Sequence, residues 1–379
     1  MHGAQTSSEM KLSRHALGKS FVGRLGPNNL SRLALTNCPS QCFPKIGFYS
    51  SAVSDGLMSE CSNFPTDFLS GLRCPVCRSA LEITPALFHC RNRTCSTGFP
   101  VVRGVPILLN ERNSLFSIGS YTSPEKTDAP ARHPGWRDIL RKLIPDISRN
   151  VSGSCNLEMF VDLLVKRSAN PKVLVVGGKS AGEGFGALLA RVPPMRLLET
   201  DVLFGPRTML VCDSHDLPFE DGFFDGVIAQ AVLEHVVDPY RCVEEIFRVL
   251  QPAGLVYAET PFMQQVHEGR YDFTRFTHLG HRRLFRRFEE IASGPVCGTG
   301  MALAWAYRHF LVSLSDSPTI RNFMDRFARL TSFYLKYLDD FSIRNSGSFD
   351  SASANYFIGR KSESILSDRQ LIQLYRGRM

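Results

Sequence analysis

Four cysteines stand in two close pairs, Cys74-Pro-Val-Cys77 and Cys90-Arg-Asn-Arg-Thr-Cys95, with twelve residues between the pairs. Thiolates are soft ligands, and four of them at ~2.3 Å around one ion suit tetrahedral zinc held between two knuckles. A unit this small builds little core of its own, so ligation would contribute directly to its folding free energy. A redox role for the first pair would call for a strand-to-helix junction and no second pair so near. Cys74, Cys77, Cys90 and Cys95 are therefore expected to hold a structural metal. The chain has 379 residues and eleven cysteines, but at this length it needs no disulfide framework, and a reducing compartment is expected.

Two further stretches could do chemistry. The run Val173-Leu174-Val175-Val176-Gly177-Gly178-Lys179-Ser180-Ala181-Gly182-Glu183-Gly184-Phe185-Gly186 reads as an apolar strand, a glycine-rich turn and the start of a helix. Glycines let a ligand approach the backbone at the carboxyl end of a first strand, where open α/β sheets bind ligands. Taken alone, the turn fits nicotinamide dinucleotides, flavins, S-adenosylmethionine or a purely structural role. The second stretch, Thr260 to His281, crowds titratable and aromatic groups into one loop. His267, Tyr271, Asp272, Arg275 and His278 are its candidate acceptor-site residues. The competing reading is a polar loop capping a helix around His281 to Arg287.

These groups need elements to position them. Apolar runs at Lys172 to Val176, Met195 to Leu198, Thr208 to Cys212, Asp225 to Ala229 and Leu255 to Glu259 are short enough to be strands buried on both faces. Helix-like segments separate several of them, which predicts a parallel α/β sheet with right-handed crossovers. One helix is legible in detail: Asp238 as N-cap, Pro239 at the first position, Val243, Ile246, Phe247 and Leu250 on one face, and Gln251-Pro252-Ala253-Gly254 as the stop. Met301 to Phe341 predicts one or two aromatic-rich helices inserted before a last strand at Asn355 to Ile358. Their expected uses are core packing or a homodimer face, with a peripheral membrane contact or a lipid-linked acceptor as the alternative, because basic residues flank the apolar positions.

Composition narrows the classes. With 43% apolar and 21% charged residues the chain is neither disordered throughout nor fibrous, and no apolar run reaches the ~18 residues of a membrane span. Of the net charge of +8, +5 belongs to residues 1 to 54, where six basic residues face Glu9 alone, so the rest is close to neutral. Residues 1–60 are Ser- and Gly-rich, basic and without sustained periodicity. They read as a leader: either an organellar transit peptide, which would make the protein mitochondrial, or a tail ahead of a natural start at Met58 in a cytoplasmic protein. Residues 68–110 form the cysteine unit, 111–135 a linker, and 136–379 the α/β domain.

Two resemblances sharpen this reading. The cysteines with Gly98-Phe99-Pro100-Val101-Val102-Arg103-Gly104-Val105-Pro106-Ile107-Leu108-Leu109 resemble the small zinc-ribbon family whose free-standing members activate tRNA, rRNA and protein-release-factor methyltransferases, although four residues here separate the second cysteine pair where two are commoner. The ordered series Leu197-Leu198-Glu199-Thr200-Asp201, Cys212-Asp213-Ser214-His215-Asp216-Leu217-Pro218-Phe219, Phe223 to Ile228, Leu233-Glu234-His235-Val236 and Glu245 to Gly254 resembles the class I S-adenosylmethionine-dependent methyltransferases, in particular the branch of ubiquinone biosynthesis. It implies an α/β fold, a Rossmann-like methyltransferase sheet with helices on both faces, preceded by a small zinc-ribbon domain.

By that resemblance Gly177 and Gly178 lie against the methionine part of the cofactor, with Gly182 and Gly184 completing the turn. Asp201, or Glu199 if the strand ends earlier, binds the ribose. Asp213, with the backbone near Ser214 and His215, recognises the adenine, and Gln230 lines the floor near the methyl group. The chain departs from the pattern at Val175, where an acidic residue is usual, in its looser glycine turn, and at Ala253, where glycine is frequent. The implied activity is methyl transfer to a small-molecule or glycan acceptor. An RNA base is the alternative acceptor, suggested by the ribbon, and a catalytically silent scaffold binding a partner protein is the alternative from another class.

Overall fold

A computed structural model of the chain describes residues 64–123, 144–178, 185–192 and 196–378. The expected leader (1–60), positions 124–135 of the expected linker, and Gly182 and Gly184 lie outside the described residues.

The described strands are β1 Leu81–Ile83, β2 Leu87–Cys90, β3 Gly98–Val102, β4 Val105–Leu108, β5 Val173–Val176, β6 Leu197–Asp201, β7 Leu210–Cys212, β8 Phe224–Gln230, β9 Leu250–Pro261, β10 Phe288–Cys297 and β11 Ala354–Lys361. They join in one sheet in the order β1-β2-β3-β4-β7-β6-β5-β8-β9-β11-β10. β7, β6, β5, β8 and β9 run parallel, and β11 lies antiparallel between β9 and β10. The strand order reverses between β5 and β8, the switch point beyond whose carboxyl ends open α/β sheets bind ligands. Alternate residues of β5 serve opposite faces. Leu174 and Val176 join a core with Cys242, Val243 and Ile246 of the helix Pro239–Val249, while Val173 and Val175 join one with Leu157, Phe160 and Leu164 of the helix Gly153–Arg167. Both faces of the sheet are thus covered by helices, as the apolar strand runs required.

The helix Pro239–Val249 starts as expected, with the Asp238 carboxylate accepting from the Arg241 N–H at 3.1 Å. Its stop differs from expectation. Leu250 already belongs to β9, and Gln251 to Gly254 form a bulge within that strand, so that Phe224 pairs with Leu250 and Gly226 with Leu255. Ala253 there takes a left-handed φ of +56°. β10 was not legible, because Glu289, Glu290, Ser293, Gly294 and Pro295 read as loop. Its pairing along β11 overrides that local composition.

The cysteine unit is not a separate small body. β4 pairs in parallel with β7, Leu72 bridges to Phe219, and Phe68 stacks on Phe224 at 6.0 Å, so Phe68, Leu72, Phe88 and Phe99 share one apolar core with the sheet. Arg78 adds an ion pair to Glu245 at 2.8 Å. The first part of the expected linker is also built into the fold: Tyr121 donates to the Val202 carbonyl at 2.5 Å and packs edge-on against Phe204.

Between β10 and β11 the helices Thr299–Val312 and Pro318–Ser332 form the expected aromatic insertion. Much of its apolar surface faces outward, with Phe310, Phe323 and Phe341 exposed. Among the described residues no helix is long and apolar enough to cross a membrane.

Candidate functional site

Cys74, Cys77, Cys90 and Cys95 converge. Their sulfurs lie 3.8 Å (Cys74 to Cys95) and 3.4 Å (Cys77 to Cys90) apart, close to the ~3.8 Å edge of a tetrahedron with ~2.3 Å metal–sulfur bonds. The donor set fits zinc. The backbone N–H of Asn92 points at the Cys90 sulfur at 3.4 Å, as knuckle amides do around a thiolate. Four thiolates complete a tetrahedral shell, so the metal the unit suits is structural.

The glycine turn opens at the end of β5. Gly177 has φ +73°, and a Cβ placed on it would stand 2.3 Å from Val232. On Gly178 a Cβ would stand 2.9 Å from that of Glu199. Only glycine lets this backbone run so close to the neighbouring strand ends. Glu199 is buried and held by Arg207 at 2.6 Å, whose guanidinium lies over the Phe185 ring. Burial nonetheless raises its carboxyl above the ordinary value. β6 runs on to Asp201, so of the two ribose candidates Asp201 stands at the strand end, where its side chain accepts from the Leu203 N–H at 2.8 Å.

The expected adenine corner is a turn of 3-10 helix, Ser214–Asp216. Asp213 accepts from Ser114 Oγ and from the His215 ring, each at 2.6 Å. Burial opposes its ionisation, but these hydrogen bonds outweigh it and hold the carboxyl below the usual range. His215 Nε2 accepts from the Asp238 N–H at 3.1 Å, which leaves the ring proton on Nδ1, and Ser214 Oγ meets Cys242 Sγ at 3.2 Å. All three side chains are thus engaged inside the fold. Asn110 and Asn113, each 3.0 Å from Asp216, fasten the segment after β4 onto this corner.

A polar cluster lies beyond the carboxyl ends of β8 and β9. Gln230 donates to Glu259 at 3.3 Å, and Glu259 also accepts from Asn150 at 3.1 Å and from the Tyr257 hydroxyl. Ala231, next to Gln230, takes φ +52°, a strained conformation for a residue with a Cβ. Three residues on, Glu234 is 1% exposed, and among the described residues neither of its carboxylate oxygens has a hydrogen-bond partner. Burial pushes this carboxyl up to about 8. His235 Nδ1 lies 2.9 Å from the Tyr271 carbonyl, and burial pushes its imidazole below the ordinary value.

The loop after β9 brings some of its expected residues here and diverts one. His267 and His235 meet edge to face at 4.9 Å between ring centres. Asp272 accepts from the His267 N–H at 2.9 Å and from Arg275 at 2.8 Å. Burial works against it, yet Arg275 holds the Asp272 carboxyl down at about 2, so this pair clamps the loop. Tyr271 stacks on Phe116 at 5.7 Å, and Trp305 of the insertion faces His267. His278 does not join them. It opens the helix His278–Leu284, is buried, reaches Ser293 Oγ at 3.1 Å with Nε2, and lines a separate apolar cleft of about 320 Å³ with Phe262, Phe349 and Tyr375. Glu234 and His235 stood in a quoted motif without a role, and Glu259 ends the fifth apolar run of the sequence, a position near the strand end that could have flagged it. Phe116, Arg207 and Trp305 carry no sequence signal.

Residues 195–258 match the family profile described as "Methyltransferase domain", so the chain carries such a domain. It spans β6 to β9 and the corner between them. A curated relative, the demethylmenaquinone methyltransferase of Clavibacter sepedonicus, is 43% identical over 44 residues. That match takes in 12% of this chain and 18% of the relative, so the chain spans under a fifth of that protein's length. Among solved structures, the Burkholderia thailandensis 1,6-didemethyltoxoflavin-N1-methyltransferase with its substrate and S-adenosylhomocysteine is 13% identical, with a TM-score of 0.32, over 62% of this chain and 94% of that one. A complex between the Haloferax volcanii Trm112 methyltransferase activator and a methyltransferase is 18% identical, with a TM-score of 0.32, over 55% and 94%.

Proposed function

We propose that the protein transfers a methyl group from S-adenosylmethionine to a small-molecule or glycan acceptor. The match of residues 195–258 to a methyltransferase domain carries this reading. Gly177 and Gly178 are the cradle in which the methionine part of the cofactor fits. Asp201 is the ribose ligand. The adenine is met by the backbone at Asp213, Ser214 and His215, since their side chains are engaged within the fold. Gln230 forms the floor below the methyl group.

The bound cofactor supplies an electrophilic methyl on a sulfonium. The chain aligns an acceptor behind it, because in-line displacement depends on near-attack geometry more than on a dedicated base. His267, Tyr271, Asp272 and Arg275 shape the acceptor side, Arg275 and Asp272 by fixing the loop. His278 belongs to the neighbouring cleft and enters this reading only as packing. The cysteine unit is a structural zinc ribbon. The outward aromatic face of the insertion supports pairing of two copies or contact with a membrane surface, which sedimentation and vesicle flotation would separate.

Calorimetric titration of the zinc-loaded protein with S-adenosylhomocysteine tests the reading. Saturable one-to-one binding, weakened at least about tenfold in Asp201→Ala, is expected from loss of a charged hydrogen bond. A folded, zinc-containing protein that binds none would instead be a scaffold. Binding to RNA at low salt would move the acceptor to an RNA base.

A further inference from the structure

We propose that Glu234, His235 and His267 form a second metal site, for a divalent first-row cation, at the carboxyl ends of β8 and β9. One ligand atom from each residue lies within 4.8 Å of the other two. Glu234 Oε1 and His235 Nε2 are already 3.8 Å apart, compatible with two ligands sharing an ion at ~2.1 Å, and closing the set requires His267, the member open to solvent, to move by about 1 Å.

Two features point to a ligand and not to a packing accident. Glu234 is buried and, among the described residues, neither oxygen has a hydrogen-bond partner, whereas carboxylates in folded interiors are normally paired or hydrogen-bonded. Each imidazole is oriented by a carbonyl. His235 Nδ1 donates to Tyr271 O at 2.9 Å, and His267 Nδ1 stands 3.4 Å from both Gln265 O and the Asp272 carboxylate, which leaves both Nε2 lone pairs for an ion. Backbone carbonyls orient metal-bound histidines in this way.

Two imidazoles and one carboxylate suit zinc, manganese or ferrous iron and leave coordination positions open. On the methyl-transfer reading, those positions are open to the acceptor. An oxygen of the acceptor bound there would lose its proton more readily and be held for attack. This step rests on that reading; the metal site itself does not.

The test is titration of zinc-loaded full-length protein with Mn²⁺, followed by loss of the free-ion electron paramagnetic resonance signal, since Mn²⁺ is poorly matched to the four thiolates. One saturable Mn²⁺ per chain is expected, weakened at least about tenfold in Glu234→Gln and His267→Ala. Zinc counting by mass spectrometry gives a second readout. Two ions per wild-type chain, falling to one in either variant with unchanged circular dichroism, equally support the site. The absence of Mn²⁺ binding together with a single zinc in the wild type overturns it, as does binding that neither variant alters. S-adenosylhomocysteine calorimetry on the same samples separates the two proposals. Cofactor binding without a second metal removes the metal site alone, and a second metal without cofactor binding removes the methyl-transfer reading alone.

Discussion

At the scale of residues, several side chains expected to meet a ligand are occupied by one another. Glu199 is the clearest case, because its carboxylate is 5% exposed and its partner is Arg207. Removing one member of such a pair strands the other in a poor solvent, so Arg207→Ala is expected to cost about 3 kcal/mol in urea unfolding, and adding Glu199→Gln should recover more than half. Gly177→Ala is expected to lower both stability and S-adenosylhomocysteine affinity, since the new methyl would stand 2.3 Å from Val232 on a left-handed backbone. Calorimetry and thermal melting check both effects. The convergence of Cys74, Cys77, Cys90 and Cys95 and the turn at Gly177 and Gly178 were legible because each is tied to short spacings. Arg207, Phe116 and Trp305 were not, since what they do depends on partners brought together only by the fold.

At the scale of elements, the parallel strands and the helix after Asp238 could be read because uninterrupted apolar runs and a local cap specify them. β10 escaped because its neighbour β11 specifies it. The bulge in β9 explains why glycine is frequent where Ala253 stands: the position is left-handed. Ala253→Gly is therefore expected to stabilise the protein by roughly 0.5–1 kcal/mol, the left-handed penalty less the added chain entropy, read as a shift in urea midpoint at constant slope. The helix His278–Leu284 carries a pH response. Burial depresses His278 to about 4 and His281 to about 3, so both are neutral in the folded state while the unfolded chain takes up protons below about 6.5. Stability is then complete above that pH and falls as pH drops from 6.5 toward 4, by up to about 1.4 kcal/mol per pH unit for each histidine. In His281→Leu, which removes a ring packed against Phe285 and Phe357, the slope of stability against pH between 6.5 and 4.5 is expected to fall by about half.

At the scale of the whole molecule, the cysteine unit and the α/β sheet share core and hydrogen bonds through β4 and β7. This integration was not visible in the sequence, where a composition change after residue 110 reads as a boundary; Ser114, Phe116 and Tyr121 beyond it in fact reach Asp213, Tyr271 and Val202. Chelation of the ribbon's metal is accordingly expected to lower the melting temperature of a single cooperative transition. Two separate calorimetric peaks would show instead that the unit folds independently of the sheet.

The seat of β11 governs how the protein can be made. Ala354–Lys361 is synthesised after every other strand, yet it is hydrogen-bonded on both sides, to β9 and to β10. Until the ribosome has passed Lys361, each of those two strands has an edge waiting for a partner that does not yet exist. The nascent chain therefore carries two adhesive edges from the making of β9 and β10 until β11 reaches them, and a product ending before Ala354 keeps them permanently. Closing this part of the sheet waits on β11, and chaperone demand should be greatest in the interval before Lys361 has emerged.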